Sequence, residues 1–242
     1  MKKSLLLFVC VISLSLIIGC GGGGGDGPAP TTDPDTVFPL YEPGWDVPGY
    51  QASFNGTGTI TINGNTQNIS AEYYVQTLNE EFLGIVQSGF GDLEINTQVL
   101  PTQRLMTITI TSINETISEI ITIYLDAQNK SPILSQTNAG TTRIVTELNL
   151  LPETGKVGDF GELSTWLEED GDIETGTWVL KSSSPGFILL EGNYTFRNSQ
   201  DTITGIETDT FKINEEGRII EVIVKFDDYE ENAVIEFTGT RN

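Results

Sequence analysis

Met106-Thr107-Ile108-Thr109-Ile110-Thr111 alternates apolar and hydroxyl side chains without a break. Successive side chains of a strand point to opposite faces, so Met106, Ile108 and Ile110 share one face and the threonines share the other. One-sided burial of this kind belongs to antiparallel sheets, because parallel sheets are covered on both faces and read as continuous apolar runs. The same period recurs in both directions along the chain. Ile69, Ala71, Tyr73 and Val75 alternate with Ser70, Glu72, Tyr74 and Gln76, and Ile220, Val222, Val224 and Phe226 oppose Ile219, Glu221, Ile223 and Lys225.

The punctuation between these runs is that of hairpins. Asn63-Gly64 tolerates the positive φ angles of a tight turn, and Ser183-Ser184-Pro185-Gly186, Asn214-Glu215-Glu216-Gly217 and Asp227 to Asn232 are further turn signals. Strands are expected near 50–62, 67–77, 82–88, 92–98, 104–113, 119–126, 141–149, 174–182, 187–197, 204–213, 218–227 and 233–240. The expected fold is mainly β, an antiparallel meander forming a barrel, a half-barrel or two stacked sheets, with little helix. One helical turn is expected where Leu163, Trp166 and Leu167 stand at i, i+3 and i+4.

Composition separates this chain from an acidic disordered one, since Ile, Val, Thr, Phe and Tyr are abundant and periodic. Its net charge of −22 repels phosphate backbones, which argues against nucleic acid as a partner. With no histidine at all, the chain cannot build a His-based triad or a His-containing zinc or copper site.

The first residues have a different character. Lys2 and Lys3 precede an uncharged run from Ser4 to Ile18, shorter than the roughly 20 apolar residues of a membrane-spanning helix but suited to a secretory signal. Ile17-Ile18-Gly19-Cys20 resembles the lipobox of bacterial lipoproteins. That resemblance implies cleavage before Cys20, acylation of the cysteine and attachment to a membrane of the cell envelope. Cleavage removes Cys10, so lipidation also accounts for the single cysteine that remains, and with Lys2 and Lys3 gone the net charge becomes −24. Two or three acyl chains make a durable anchor. Gly21 follows where Asp would favour inner-membrane retention in the resembled family, which points to the outer membrane, facing the periplasm or cell surface.

Domain organisation follows from these readings. Residues 1–19 are expected to be the signal, 20–45 a lipidated cysteine with a Gly/Pro-rich tether, and 46–242 an all-β domain with a possible division into 46–150 and 151–242 around the glycines of Leu151 to Gly161. Phe211 to Ile219 resembles one unit of the YD-type repeats of bacterial surface proteins, but one copy is not an array. Leu151-Pro152-Glu153-Thr154-Gly155 has the letters of a sortase signal without the C-terminal apolar segment and basic tail that such a signal needs. Asp159-Phe160-Gly161 has the letters of a kinase triplet with none of its companions.

Two kinds of site remain open to carboxylates and aromatics. Calcium asks only for oxygen ligands, and Asp170, Asp172 and Glu174 in one acidic run with Asp227 and Asp228 in another are the candidates, although neither run has EF-hand spacing. Trp166 and Trp178 flank the first run, and Tyr194 and Phe196 share a face with Ile188 and Leu190; core packing is one use for them, a barrel mouth or groove for an apolar or sugar ligand the other. The expected function is a non-catalytic binding or structural module of the envelope, whose partner is a glycan, an apolar ligand or a protein. The alternatives are a carboxylate-dependent hydrolase of an envelope glycan and a calcium-dependent adhesion module.

Overall fold

In the computed structural model residues 32–242 are described. The signal, Cys20 and the tether up to residue 31 lie outside the described residues. The principal strands are β2 (Gln51–Ile62), β3 (Asn65–Thr77), β5 (Gly91–Ile110), β6 (Glu115–Asp126), β7 (Pro132–Thr137), β8 (Thr142–Glu147), β11 (Thr165–Glu168), β12 (Ile173–Ser182), β13 (Phe187–Arg197), β14 (Ile203–Asn214), β15 (Ile219–Asp228) and β16 (Ala233–Arg241). Each pairs antiparallel with its neighbours in that order, and β16 returns to pair with β2, closing a 12-strand barrel. Of the expected architectures, the closed barrel is the one formed.

The alternation seen in the sequence is the inside and outside of this wall. Met106, Ile108 and Ile110 belong to the main apolar cluster, together with Ile69, Ala71, Val222, Val224 and Phe226. On the outer face Thr109 and Thr116 are cross-strand partners joined by a 3.0 Å hydroxyl bond. Asn63 (φ 49°) and Gly64 (φ 80°) form the expected tight turn between β2 and β3. In the β14–β15 pair a register shift between Phe211 and Ile213 puts Ile219 rather than Ile220 in the core.

Several expectations change. Segments 92–98 and 104–113 are parts of one strand, β5, which spans a proline. Pro101 is tolerated because it sits where β5 leaves its pairing with β4 (Glu81–Ser88) at Val99 and takes up β3 at Thr102, so its missing N–H breaks no bond on that side. Strand β7 was not expected at all. Leu134 (0% exposed) and Ser135 (1%) are adjacent and both buried, so the alternation that marks a half-buried strand is absent there. Leu134 faces outward in a cross-strand row with Tyr124, Ile144 and Leu167. The β4–β5 hairpin folds back toward this row, and its tip residue Gly89 rests against the Glu169 side chain.

The expected helical turn at 163–167 is instead β10 (Phe160–Glu162) followed by β11. Trp166 points inward and Leu167 outward, and β8 and β12 supply hydrogen bonds on both sides of β11, which a helix could not accept. The tether expected over 20–45 also ends early. Phe38 and Leu40 are fully buried in the main cluster, and β1 (Phe38–Pro39) pairs with β9 (Thr154–Gly155) across one end of the barrel. Gly/Pro-rich composition masked four large apolar side chains in this strap: Phe38, Leu40, Tyr41 and Trp45. Leu151 to Gly161 likewise packs over that end rather than linking two units, and the pairs β2–β16 and β8–β11 join the two halves of the sequence into one wall.

Asp at an inward position should therefore unfold the domain, and Asp on the outer face should not. An unpaired buried carboxylate costs several kcal/mol, comparable with a total stability of about 5–15 kcal/mol. Val222→Asp is expected to abolish the cooperative melting transition and Thr109→Asp to keep it. Equal damage from both would refute this assignment of faces.

Candidate functional site

A barrel this wide is not filled by aliphatic side chains alone, and a band of its interior is polar. Strand alternation turns Arg104 on β5, Glu119 on β6, Arg143 on β8, Glu174 on β12, Tyr194 on β13 and Glu207 and Asp209 on β14 inward, and all are buried. Arg143 lies opposite Glu168 in the β8–β11 register and forms an ion pair with it; a second pair runs to Glu174 at 3.2 Å. Burial opposes the charge on Arg143, but Glu168, Glu174 and Glu119 together outweigh it and hold the guanidinium pKa up. Glu168 is itself pushed up, by burial first, against the pull of Arg143. One cation is shared among three acids, so the pair favours ionisation of the arginine more than that of this glutamate.

The second half of the band lies around Arg104. Asp209 is pushed well above the ordinary carboxyl range, by burial first and then by Glu207, with Arg104 pulling the other way. Glu207 and Asp209 are two residues apart on one strand face and are hydrogen-bonded side chain to side chain, an arrangement that holds one proton between them. Tyr194 stands opposite Glu207 in the register, and its phenol is pushed well up by burial, then by Asp209 and Glu174.

Arg104 also borders a cavity of about 110 Å³ at the strapped end, whose other walls include Trp45, Ile123, Leu125, Leu163 and Trp166. Tyr41, Trp45, Lys130, Leu150 and Leu151 are common to this cavity and to a wider opening of about 450 Å³ outside it. The strap over the opening is fixed at several points. Glu42 is buried, pairs with Arg241 and accepts the Ile219 N–H at 3.4 Å; Thr77 Oγ1 donates to the Trp45 carbonyl at 2.5 Å. The Tyr41 hydroxyl donates to the Leu151 carbonyl at 2.7 Å, and its ring stacks on Trp45 at 5.2 Å. Burial and then Glu153 push this phenol up to about 12, so it remains a donor. Opposite the strap, Ser164 Oγ donates to the Asn149 carbonyl at 2.8 Å and accepts its N–H at 3.1 Å.

The acidic candidates do not converge. Glu174 is inside the barrel with Arg143. Asp170 and Asp172 lie in the β11–β12 turn, where Asp170 Oδ1 accepts the Asp172 N–H at 3.2 Å and Asp172 Oδ1 accepts the Ser199 N–H at 3.0 Å. Asp227 faces outward and pairs with Lys225, whereas Asp228 faces inward and accepts the Glu230 and Glu231 N–H groups at 2.8 and 2.9 Å. Among the described residues no group of three or more His, Cys, Asp or Glu side chains is placed to hold a metal ion. Trp166 lines the cavity, while Trp178, Tyr194 and Phe196 sit in the main core. Arg104 was not among the candidates, although a lone base on the inward face of Thr102, Arg104, Met106 and Ile108 was open to view.

No protein-family model matches this chain, and neither a curated protein nor a solved structure does.

The raised Asp209 carboxyl makes stability depend on pH. Below about pH 3.9 the group is protonated in both the folded and the unfolded chain and contributes no difference. As pH rises, the unfolded chain releases the proton first, so stability falls through the window up to the folded pKa. Asp209→Asn has no proton to lose. It is expected to melt higher than the native protein at pH 7 and at nearly the same temperature at pH 4; a variant less stable at pH 7 than at pH 4, relative to native, would show that Asp209 is ionised in the fold.

Proposed function

We propose that this chain is a lipid-anchored, non-catalytic binding module of the bacterial cell envelope that holds a small apolar ligand in the cavity between Trp45 and Trp166. The cavity is the observation that carries the reading: a concavity in a barrel mouth, mostly apolar, with a few placed polar groups. Its volume of about 110 Å³ approaches the ~150 Å³ of an apolar cavity known to admit benzene. Glu207 and Asp209 are the close pair of buried acids that a glycan hydrolase would use, but they line neither the cavity nor its opening, which favours binding over hydrolysis.

The anchor fits the same end of the molecule. The described chain enters at Thr32, whose N–H donates to Ser183 in the β12–β13 turn at 3.0 Å, and this turn belongs to the strapped end with the cavity mouth. A lipid on Cys20 would hold that end toward the membrane, on the reading that places the protein in the outer membrane.

Two measurements test this reading. Benzene should shift the methyl NMR signals of Ile123 and Leu125, which line the cavity, and leave that of Ile69 in the main core unchanged; no selective shift would remove the cavity as a binding site. A fatty-acid analogue should label the protein in cells, and Cys20→Ser should abolish both label and membrane retention. A Cys20→Ser variant that stays in the membrane pellet would refute the anchor.

A further inference from the structure

We infer that the cavity takes a short aliphatic chain ending in one carboxylate, with its tail among Ile123, Leu125 and Trp166 and its head at Lys130. The inference rests on the cavity being a binding site, and it names the class of molecule that the site holds. Charge in this part of the molecule runs against the rest of the chain. Acids outnumber bases 34 to 12, yet the two charged residues that line the inner cavity, Arg104 and Lys130, are both cations, and no carboxylate lines it. Arg104 is buried, whereas Lys130 is half-buried and lines both the cavity and the wider opening, so Lys130 is the cation a ligand meets in the neck between them.

The loop that carries Lys130 fixes it in place and leaves its charge open. Among the described residues six other than glycine have a positive φ; five are Asn or Asp, the types that tolerate it, and the sixth is Lys130 at φ 61°. The Asp126 N–H donates to the Ser131 carbonyl at 2.8 Å and the Lys130 N–H to the Asp126 carbonyl at 2.9 Å, which closes the loop. The Asp126 carboxylate does not answer the ammonium, because its Oδ1 accepts the Gln128 and Asn129 N–H groups at 2.9 and 3.0 Å. Lys130 Nζ donates to the Ala127 carbonyl at 2.8 Å and forms no ion pair among the described residues. An ammonium has three donors, and a carboxylate accepts from it through a charge-assisted bond, roughly twice as strong as a neutral one.

The surroundings then limit the charge and length of the ligand. Glu42 at the wider opening is paired with Arg241, but Asp46 and Glu153 line that opening too. They would repel a head with two negative charges, whereas a single carboxylate is matched by the single ammonium. The cavity of about 110 Å³ is smaller than the ~150 Å³ of one that admits benzene, so the tail that fits has about four or five carbons. A longer tail would carry the head past Lys130 toward Asp46 and Glu153.

The test uses the full chain carrying Cys20→Ser in detergent-free buffer with hexanoate, 1-hexanol and hexylammonium at matched ionic strength, and reads occupancy from the Ile123 and Leu125 methyl signals. Hexanoate is expected to bind about fivefold more tightly than 1-hexanol, the size of effect for a partly exposed, charge-assisted pair, and hexylammonium more weakly than either. Lys130→Met keeps the aliphatic stem and removes the ammonium. Lys130 lies outside both apolar clusters, so this variant should fold; it should bring hexanoate down to the level of 1-hexanol and leave benzene binding unchanged. Lys130→Arg should keep the preference for the acid. Hexanoate no tighter than 1-hexanol, hexylammonium tighter than hexanoate, or a preference for hexanoate that survives Lys130→Met would overturn the inference, and continued benzene binding would leave the cavity itself standing as a site. If benzene and all three probes leave the methyl signals unchanged, the cavity fails as a binding site and the inference fails with it.

Discussion

Closure of the sheet is the constraint on which the rest of this structure depends. A closed ring of strands has no edge, so the barrel wall leaves no row of backbone donors and acceptors for another strand; the β4–β5 hairpin, in which β4 pairs on one side only, stands outside this closure. Closure also fixes which residues are inside, because once β16 pairs with β2 the register can no longer slip without moving every inward side chain to the surface. The seam itself is made by glycines. A Cβ on Gly58 would land on the Glu236 carbonyl oxygen and one on Gly56 on that of Thr238, so only residues without a side chain let β2 approach β16 this closely.

Closing so many strands creates a second problem, since the enclosed space exceeds what one layer of aliphatic side chains fills. The barrel meets it in two ways. At the strapped end, Phe38 and Leu40 reach in from outside the wall and join the main cluster. Across the middle, long ionisable side chains span the space, and the ion pairs of Arg143 with Glu168 and Glu174 offset part of what their burial costs. A buried ion pair is weak evidence for stability in itself, but removing one partner leaves the other charge in a low-dielectric interior. The polar band therefore acts as a unit.

The legible part of this fold is the part governed by one-sided burial. Met106 to Thr111, Ile69 to Gln76 and the hairpin at Asn63-Gly64 all read correctly, because each has one wet face and one dry one. Reading failed where both faces are dry or where composition misleads. Leu134 and Ser135 on β7 are covered on both sides, so no alternation survives; Leu163, Trp166 and Leu167 mimic a helical spacing although Trp166 and Leu167 point to opposite sides of a strand whose outer face is itself half-buried. Gly/Pro-rich composition made residues 20–45 look like a linker throughout, although Tyr41 and Trp45 within that range line the cavity. Of the site, Trp166 was visible as an aromatic candidate. The cavity was not, because it is assembled from β5, β6, β11, the strap and the 149–151 segment, whose meeting depends on the strand order of the closed ring.

The two ends of the barrel differ for a reason that bears on function. At one end the connections are short turns, such as 63–64, 138–141 and 169–172, which leave no room for a site. At the other end the strap and the 148–160 segment must cross the mouth, and irregular backbone that crosses a mouth cannot pack as tightly as a sheet. Its anchoring is accordingly local, through the Glu42–Arg241 pair, the Thr77 bond to the Trp45 carbonyl and the Tyr41 bond to Leu151. Between those points the apolar faces of Trp45, Leu163 and Trp166 stand around empty space with a guanidinium at its border. A cavity of this kind costs stability through the contacts its lining lacks, and the open Arg104 donor adds to that cost. A molecule that filled this space would recover the missing apolar contacts, so the loosely packed strapped end, and not the end closed by short turns, is where the proposed binding has a physical basis.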